Sequence, residues 1–166
     1  MITCKLKYIL LSLLLFGITT AFSQQVISDV DSLPKVFKIG EHENLYGELY
    51  EEYHEILLTV CNDDMNIAFD RWMHMIVEME EYSKSIAFDI NGVKVWLKVF
   101  WNATGKIDHL SFYLKPESRN IDPSELEAFF SSFMNYYEMP VTSRVNFTHN
   151  GSAQFPTAIY PPTTRK

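Results

Sequence analysis

Cysteine is scarce in this chain: the 166 residues contain only Cys4 and Cys61. Cys4 belongs to an N-terminal leader that is described below, so the rest of the chain cannot close an internal disulfide. A lone cysteine after an apolar run, such as Cys61, is typically a small buried side chain and not a reactive thiolate. Stability must come from the core, for which 47% hydrophobic and 14% aromatic residues are sufficient.

Sequence motifs of known chemistry are missing as well. The chain has no G-x-S-x-G elbow, no Gly-rich phosphate loop and no dinucleotide fingerprint. Asp70, His74 and Glu78 follow one another at helical spacing, as ligands of a divalent metal would, but neither a second cluster nor an H-E-x-x-H spacing accompanies them. An exposed, hydrogen-bonded helix face is the favoured interpretation. We predict no catalytic residue, no metal site and no cofactor, and we favour a binding protein over an enzyme.

The longest apolar run is short and lies at the N-terminus. Two lysines precede apolar residues 8–16, and residues 21–23, Ala-Phe-Ser, offer the small side chains that a signal peptidase recognises. A membrane span needs about 20 predominantly apolar residues. Residues 1–23 are therefore expected to be a cleaved signal peptide, and the mature chain, residues 24–166, is expected in the periplasm or outside the cell with no stable membrane span. An uncleaved anchor is the alternative.

Basic residues are almost absent from one part of the chain. Residues 41–82 contain twelve acids and one base, Arg71, whereas residues 83–166 contain nine bases and seven acids. The acidic part offers no basic patch for phosphate groups, which argues against nucleic acid as a partner. We expect a solvated acidic helix face there; a docking surface for a basic partner is the alternative.

Apolar residues recur at helical spacing in this acidic part. The pattern predicts one helix over residues 45–60 and a second over residues 65–82, in which Met65 and Phe69 belong to the buried stripe. Polar residues 62–64 separate the two helices and supply cap candidates. A short joint between amphipathic helices predicts a helical hairpin over residues 41–82.

From residue 86 onward the apolar period is two, which indicates strands. Residues 86–90 and 93–101 flank Asn91-Gly92, a dipeptide that readily adopts the positive φ angles of a type I′ turn, and predict a β-hairpin. Another strand is expected over residues 107–114. Aromatic residues lie on both faces of the strand over residues 93–101, so we expect both faces to be covered; a ligand or partner surface on one face is the alternative.

One further helix has the clearest boundaries. Asp122 is a candidate N-cap, Pro123 suits the first helical position, and a broad apolar stripe follows to Tyr137. A last strand is expected over residues 141–148, and a turn over residues 149–151. These elements predict a single α+β domain over residues 24–166. Its helical hairpin, residues 41–82, precedes residues 86–157, which form a mostly antiparallel sheet with one packed helix in β-β-β-α-β order.

The order of strand, Gly-containing turn, strand, helix and strand resembles the C-terminal domain of TonB-type energy transducers. The residues that carry this resemblance are 95–101, the turn 102–105, the helix 123–137 and the return strand 144–148, within residues 86–157. The resemblance implies recognition of an outer-envelope partner by strand addition at a sheet edge.

Two groups of polar residues are candidates for partner binding. Lys115 and Arg119 lie in a polar loop just before the Asp122 cap, where cations and the positive end of a helix favour an anionic group. The favoured interpretation, however, is that Arg119 pairs with a nearby acid and orders the loop. Arg144 and Asn146 are polar residues of the kind that protect an edge strand from aggregation.

These observations lead to two hypotheses of function. The favoured one is an exported, non-catalytic interaction module of the bacterial envelope that binds an unidentified envelope protein or peptide by strand addition. The alternative is a small envelope enzyme or ligand-binding protein that uses the loop over residues 115–119. A module should expose a sheet edge or an apolar patch, whereas an enzyme should have a concave pocket with convergent titratable groups.

The leader makes a direct prediction about processing. Because the apolar run is too short for a comfortable span, N-terminal sequencing of the exported protein should give Gln24 as the first residue. Recovery of an intact chain that starts at Met1 from the membrane fraction would contradict this prediction.

Overall fold

The computed structural model describes residues 33–157 and has a mixed α+β architecture. The described elements, in chain order, are β1 Val36–Lys38, α1 Glu43–Glu52, β2 Glu55–Ile56, α2 Leu57–Val60, α3 Met65–Ser85, β3 Lys94–Trp101, β4 Ile107–Leu114, α4 Pro123–Tyr136 and β5 Phe147–Gln154. The five strands form one sheet in the order β1-β4-β3-β5-β2. The predicted fold class, α+β, is confirmed.

β3 is the central strand, and it is antiparallel to both β4 and β5. Its side chains at alternate positions, Val95, Leu97, Val99 and Trp101, are fully buried on one face of the sheet. This face lies under α3 and α4, and together they form the main core. The short strands β1 and β2 run parallel to their neighbours and cover only parts of the two sheet edges.

Helix α4 forms as its sequence predicts. The Asp122 carboxylate accepts a hydrogen bond of 2.9 Å from the backbone N–H of Ser124, and Pro123 occupies the first turn. This cap satisfies one of the donors that a helix N-terminus leaves without a partner. The apolar stripe is buried as expected, at Leu126, Phe129, Phe130, Phe133 and Met134.

Helix α3 is the longest element and also begins at a side-chain cap. The Asp64 carboxylate accepts hydrogen bonds from the backbone N–H groups of Asn66 and Ile67, at 2.9 and 3.1 Å. The helix buries Ala68, Trp72, Met75, Ile76 and Met79 against the sheet. Met65 and Phe69, which the apolar pattern assigned to the buried stripe, are instead 65% and 53% exposed.

The predicted helix over residues 45–60 is wrong, because the chain leaves the helix after Glu52. Tyr53 packs its ring 5.4 Å from that of Phe100 and donates a hydrogen bond of 2.9 Å to Asp108, and both partners lie on the sheet. The next residues join the sheet as β2. Helix α1 therefore packs on the sheet face opposite α3, in a small second core around Phe37 and Phe100, and the expected hairpin does not form.

Two predicted strands also differ from the structure. Residues 86–90 are irregular, because Ala87 has a positive φ of 55° and the Asp89 carboxylate accepts the backbone N–H of Asn91 in a local turn. Only Phe147 and Thr148 of the predicted strand over residues 141–148 are in a strand. β5 then continues through residues 149–151, where a turn was expected.

Gly151 in the middle of β5 is required by a close approach of α3. A Cβ atom at this position would lie 3.0 Å from the Trp72 indole, which is itself buried against the His149 ring. A side chain here would force Trp72 out of its packed position.

We therefore expect Gly151→Ala to lower the free energy of unfolding by roughly 1–3 kcal/mol. The matched control is Gly47→Ala, in the exposed part of α1, where a Cβ would meet nothing within 4 Å. That change should raise stability by roughly 0.5–1 kcal/mol, because alanine favours a helix over glycine. Urea unfolding of both variants measures the two effects, and equal stabilities would contradict the close contact.

Candidate partner-binding site

The outer edge of β5 is covered by another strand along only part of its length. β2 pairs with Phe147 and Thr148, and within residues 33–157 no strand pairs with the rest of β5 on that side. Phe155 donates its backbone N–H to Val93, so by alternation the odd-numbered residues of β5 direct their backbone groups toward β3. The backbone N–H and C=O groups of Asn150, Ser152 and Gln154 therefore point outward. We call residues 149–154 the open edge.

One side of α3 runs beside the open edge. Phe69, Met73, Ile76 and Glu80 are spaced by three or four residues and so form a row along the helix. Glu80, at the end of this row, accepts hydrogen bonds from the backbone N–H and the hydroxyl of Thr157, just beyond β5. Tyr82, on the opposite side of α3, packs its ring against α4, so the row faces away from α4, toward the outer side of β5. Phe69 is 53% exposed and Met73 is half-buried, and we call these two side chains the apolar ledge.

Glu80, at the end of the row, has a carboxylate that is partly shielded from solvent and holds the neighbouring chain in place. Burial alone would raise the pKa of Glu80, but the hydrogen bonds from Thr157 and from Lys84 hold that pKa below its ordinary value. The Lys84 ammonium lies 2.9 Å from the Glu80 carboxylate. The charged carboxylate thus fixes the chain just after β5 against α3, at one end of the open edge.

At the other end of the open edge, the His149 side chain lies on the face of β5 that packs against α3. Its ring lies 4.8 Å from the Trp72 ring, between centroids, at an interplanar angle of 65°. Burial lowers the pKa of His149, because the charged imidazolium loses hydration there. The neutral ring behaves as part of the apolar contact that seats α3 on β5.

The structure separates Lys115 and Arg119, which the sequence placed in one candidate site. The Arg119 guanidinium donates to the Asp89 carboxylate at 2.6 Å and to the Asp89 carbonyl oxygen at 2.7 Å. The pKa of Asp89 lies below its ordinary value, first because Asn91 donates its backbone N–H and then because of Arg119. Lys115 instead donates to the Ser152 hydroxyl across the sheet. Arg119 thus orders the loop, as the favoured interpretation of this residue predicted.

Arg144 and Asn146 lie in the irregular segment before β5. Arg144 is exposed. Asn146 accepts the backbone N–H of Ala103 at 3.1 Å and donates to the Glu52 carboxylate at 3.2 Å, so it ties this segment to the turn after β3 and to the end of α1. Neither residue belongs to the open edge.

A surface cavity of about 610 Å³ lies between residues 86–89 and α4. Arg119, Glu125 and Phe129 are among its lining residues, whereas Lys115 is not. The two charged groups of Asp89 and Arg119 already neutralise each other at the rim. The residues of the loop over 115–119 therefore do not come together around this cavity as a single site.

Other kinds of site are not found in the described part of the chain. Among residues 33–157, no helix combines the length and apolar content needed to cross a membrane. The same residues bring no three His, Cys, Asp or Glu side chains together where they would hold a metal ion. Cys61 is buried, as expected, and its burial raises the pKa of the thiol.

Comparison with known proteins adds no relative. No protein-family model, no curated protein and no solved structure matches the chain. Function is therefore inferred from the open edge and the surfaces around it. Neither the apolar ledge nor residues 149–154 were predicted as binding residues from the sequence. For residues 149–154, the local signal was the alternation that places Phe147, Gly151 and Ala153 on one face of a strand.

Proposed function

We propose that the protein is an exported, non-catalytic interaction module that captures an extended peptide by strand addition along the open edge. The observation that carries this proposal is the outward direction of the backbone groups of Asn150, Ser152 and Gln154, next to the exposed ring of Phe69. A sheet edge of this kind is a template for another strand.

The open edge has the dimensions of a short peptide site. Six residues of strand, at about 3.3 Å each, extend over roughly 20 Å. A peptide that pairs with the outward groups of β5 directs alternate side chains to opposite faces of the sheet. One set of side chains meets the apolar ledge on α3, so the module favours a peptide with apolar residues at every second position. The backbone hydrogen bonds supply affinity, and the ledge supplies selectivity.

The leader and the family resemblance support a location and a partner class for this module. A cleaved signal peptide over residues 1–23 sends the mature chain to the periplasm or the cell exterior. The resemblance to the TonB C-terminal domain favours an extended segment of an envelope protein as the partner. In this proposal strand addition takes place at residues 149–154. Arg144 and Asn146, in the segment before the strand, take no part in it.

Proline substitution tests strand addition at the level of one backbone N–H. Asn150→Pro removes an outward donor and leaves the ladder between β3 and β5 intact, so the domain should stay folded by circular dichroism. Octapeptides selected from a phage-displayed library on the wild-type domain are the probe. We expect their affinity for Asn150→Pro to fall at least about tenfold, which corresponds to the loss of one or more hydrogen bonds.

Two controls separate the backbone effect from others. Asn150→Ala keeps the N–H and should bind the selected octapeptides normally. Ala153→Pro removes a donor that faces β3 and should unfold the domain, because its N–H belongs to the central ladder. If Asn150→Pro is folded and binds the octapeptides as tightly as the wild type, strand addition at this edge is wrong.

A further inference from the structure

The sheet face opposite α3 and α4 is only partly covered. Helix α1 packs Tyr46, Leu49 and Tyr53 over Phe100, near one end of the strands. Toward the other end of the strands, the same face carries Trp96, which is 39% exposed, and Tyr113, which is 51% exposed. Two aromatic rings at a sheet surface beside a covered region form a patch suited to a ligand.

The strand registers arrange this surface in rows. Trp96 lies opposite Tyr113 on β4 and opposite Ser152 on β5. The row on one side holds Lys94 opposite Gln154. Lys115, just after β4, also belongs to this row, because it donates its backbone N–H to the carbonyl oxygen of Lys94. The row on the other side holds Ser111, Lys98 and Asn150. We call these three rows the lysine–aromatic face.

The accessible charge on the lysine–aromatic face is positive, although the chain has a net charge of −7. Its rows contain Lys94, Lys98 and Lys115 and no carboxylate. Lys98 is only 7% exposed, with its ammonium 3.6 Å from the centre of the Tyr50 ring, so Lys94 and Lys115 carry the accessible charge. Lys115 donates to Ser152, and within residues 33–157 neither Lys94 nor Lys115 forms an ion pair with an acid. This local charge is complementary to an anionic ligand.

We propose that the lysine–aromatic face binds an acidic oligosaccharide, such as a chain of uronic acid units. The apolar C–H faces of sugar rings stack on Trp96 and Tyr113, which present both a flat surface and a polar edge. Lys94 and Lys115 bind the carboxylates of the sugar acids. Ser152, Asn150 and Gln154 carry the neutral donors and acceptors that sugar hydroxyls require.

The small number of accessible lysines favours an oligosaccharide over a nucleic acid. Binding of nucleic acid depends on neutralising many closely spaced phosphates, and this face offers only Lys94 and Lys115. A uronic acid chain carries one charge per sugar ring and a stacking surface on each ring, so it binds through ring stacking with few ion pairs. Two lysines beside two aromatic rings match that combination.

This site differs from the open edge in the groups that it uses. Strand addition uses backbone groups of β5, whereas the lysine–aromatic face uses side chains of β3 and β4 and only the polar side chains of β5. Either activity is therefore testable without the other. Failure of one leaves the other standing.

Tryptophan fluorescence gives a direct measurement, because Trp96 is exposed and Trp72 and Trp101 are 5% and 0% exposed. Titration with an oligogalacturonate should quench and shift the Trp96 emission, and the effect should weaken as salt is raised. An uncharged gluco-oligosaccharide of the same length should bind at least about tenfold more weakly, as should a Lys94→Gln/Lys115→Gln variant. Trp96→Phe should lower affinity, measured by calorimetry, because the stacking surface is smaller.

The control variant is Phe69→Ala, on the apolar ledge, which should bind the oligogalacturonate like the wild type. Circular dichroism shows whether each variant is folded. Equal binding of the acidic and neutral sugars, or no binding of either, would overturn the proposal. Tighter binding of an oligothymidylate than of the oligogalacturonate would also overturn it, because the face would then be a nucleic-acid surface.

Discussion

The contact between Trp72 and Gly151 determines how the rest of this structure is arranged. A glycine in β5 lets the indole of α3 approach the backbone to a distance at which any Cβ would collide, and His149 completes the packing beside it. Because this contact seats α3 on β3 and β5, one side of the helix runs along the outer side of β5. That placement creates both the open edge and the apolar ledge, and it leaves the opposite sheet face to α1, which covers only part of it.

The domain thus has two surfaces with different chemistry on one sheet. At the open edge, backbone groups and the exposed ring of Phe69 favour an extended peptide with alternating apolar residues. On the lysine–aromatic face, side chains favour an anionic ligand with flat rings. The acids of residues 41–82 lie mostly on α1 and α3, which pack on opposite faces of the sheet, and the lysine–aromatic face lies on the same sheet face as α1.

Elements with local signals could be predicted from the sequence. α4 has an aspartate cap, a proline in its first turn and a continuous apolar stripe, and β4 has a regular alternation between turn residues. The end of α1 at Glu52 could not be predicted, because it depends on Tyr53 reaching Asp108 and Phe100, which are distant in sequence. β5 contains His-Asn-Gly, a typical turn sequence, and it is a strand because Gly151 meets Trp72 and because β3 offers a full ladder. In the candidate site, the pairing of Arg119 with an acid was the favoured prediction. The separation of Lys115 from Arg119 could not be predicted, because it depends on the path of β4 across the sheet.

Amide hydrogen exchange of β5 tests the account most directly. In the wild-type domain, the amides of Asn150, Ser152 and Gln154 should exchange much faster than those of Gly151 and Ala153, because only the latter two are bonded to β3. Addition of a selected octapeptide should slow the three outward amides by at least about tenfold and leave the two inward amides unchanged. Slow exchange at all five amides without peptide would show that the edge is already occupied. Peptide binding without protection of the outward amides would show that the partner binds elsewhere, and either result would contradict the account.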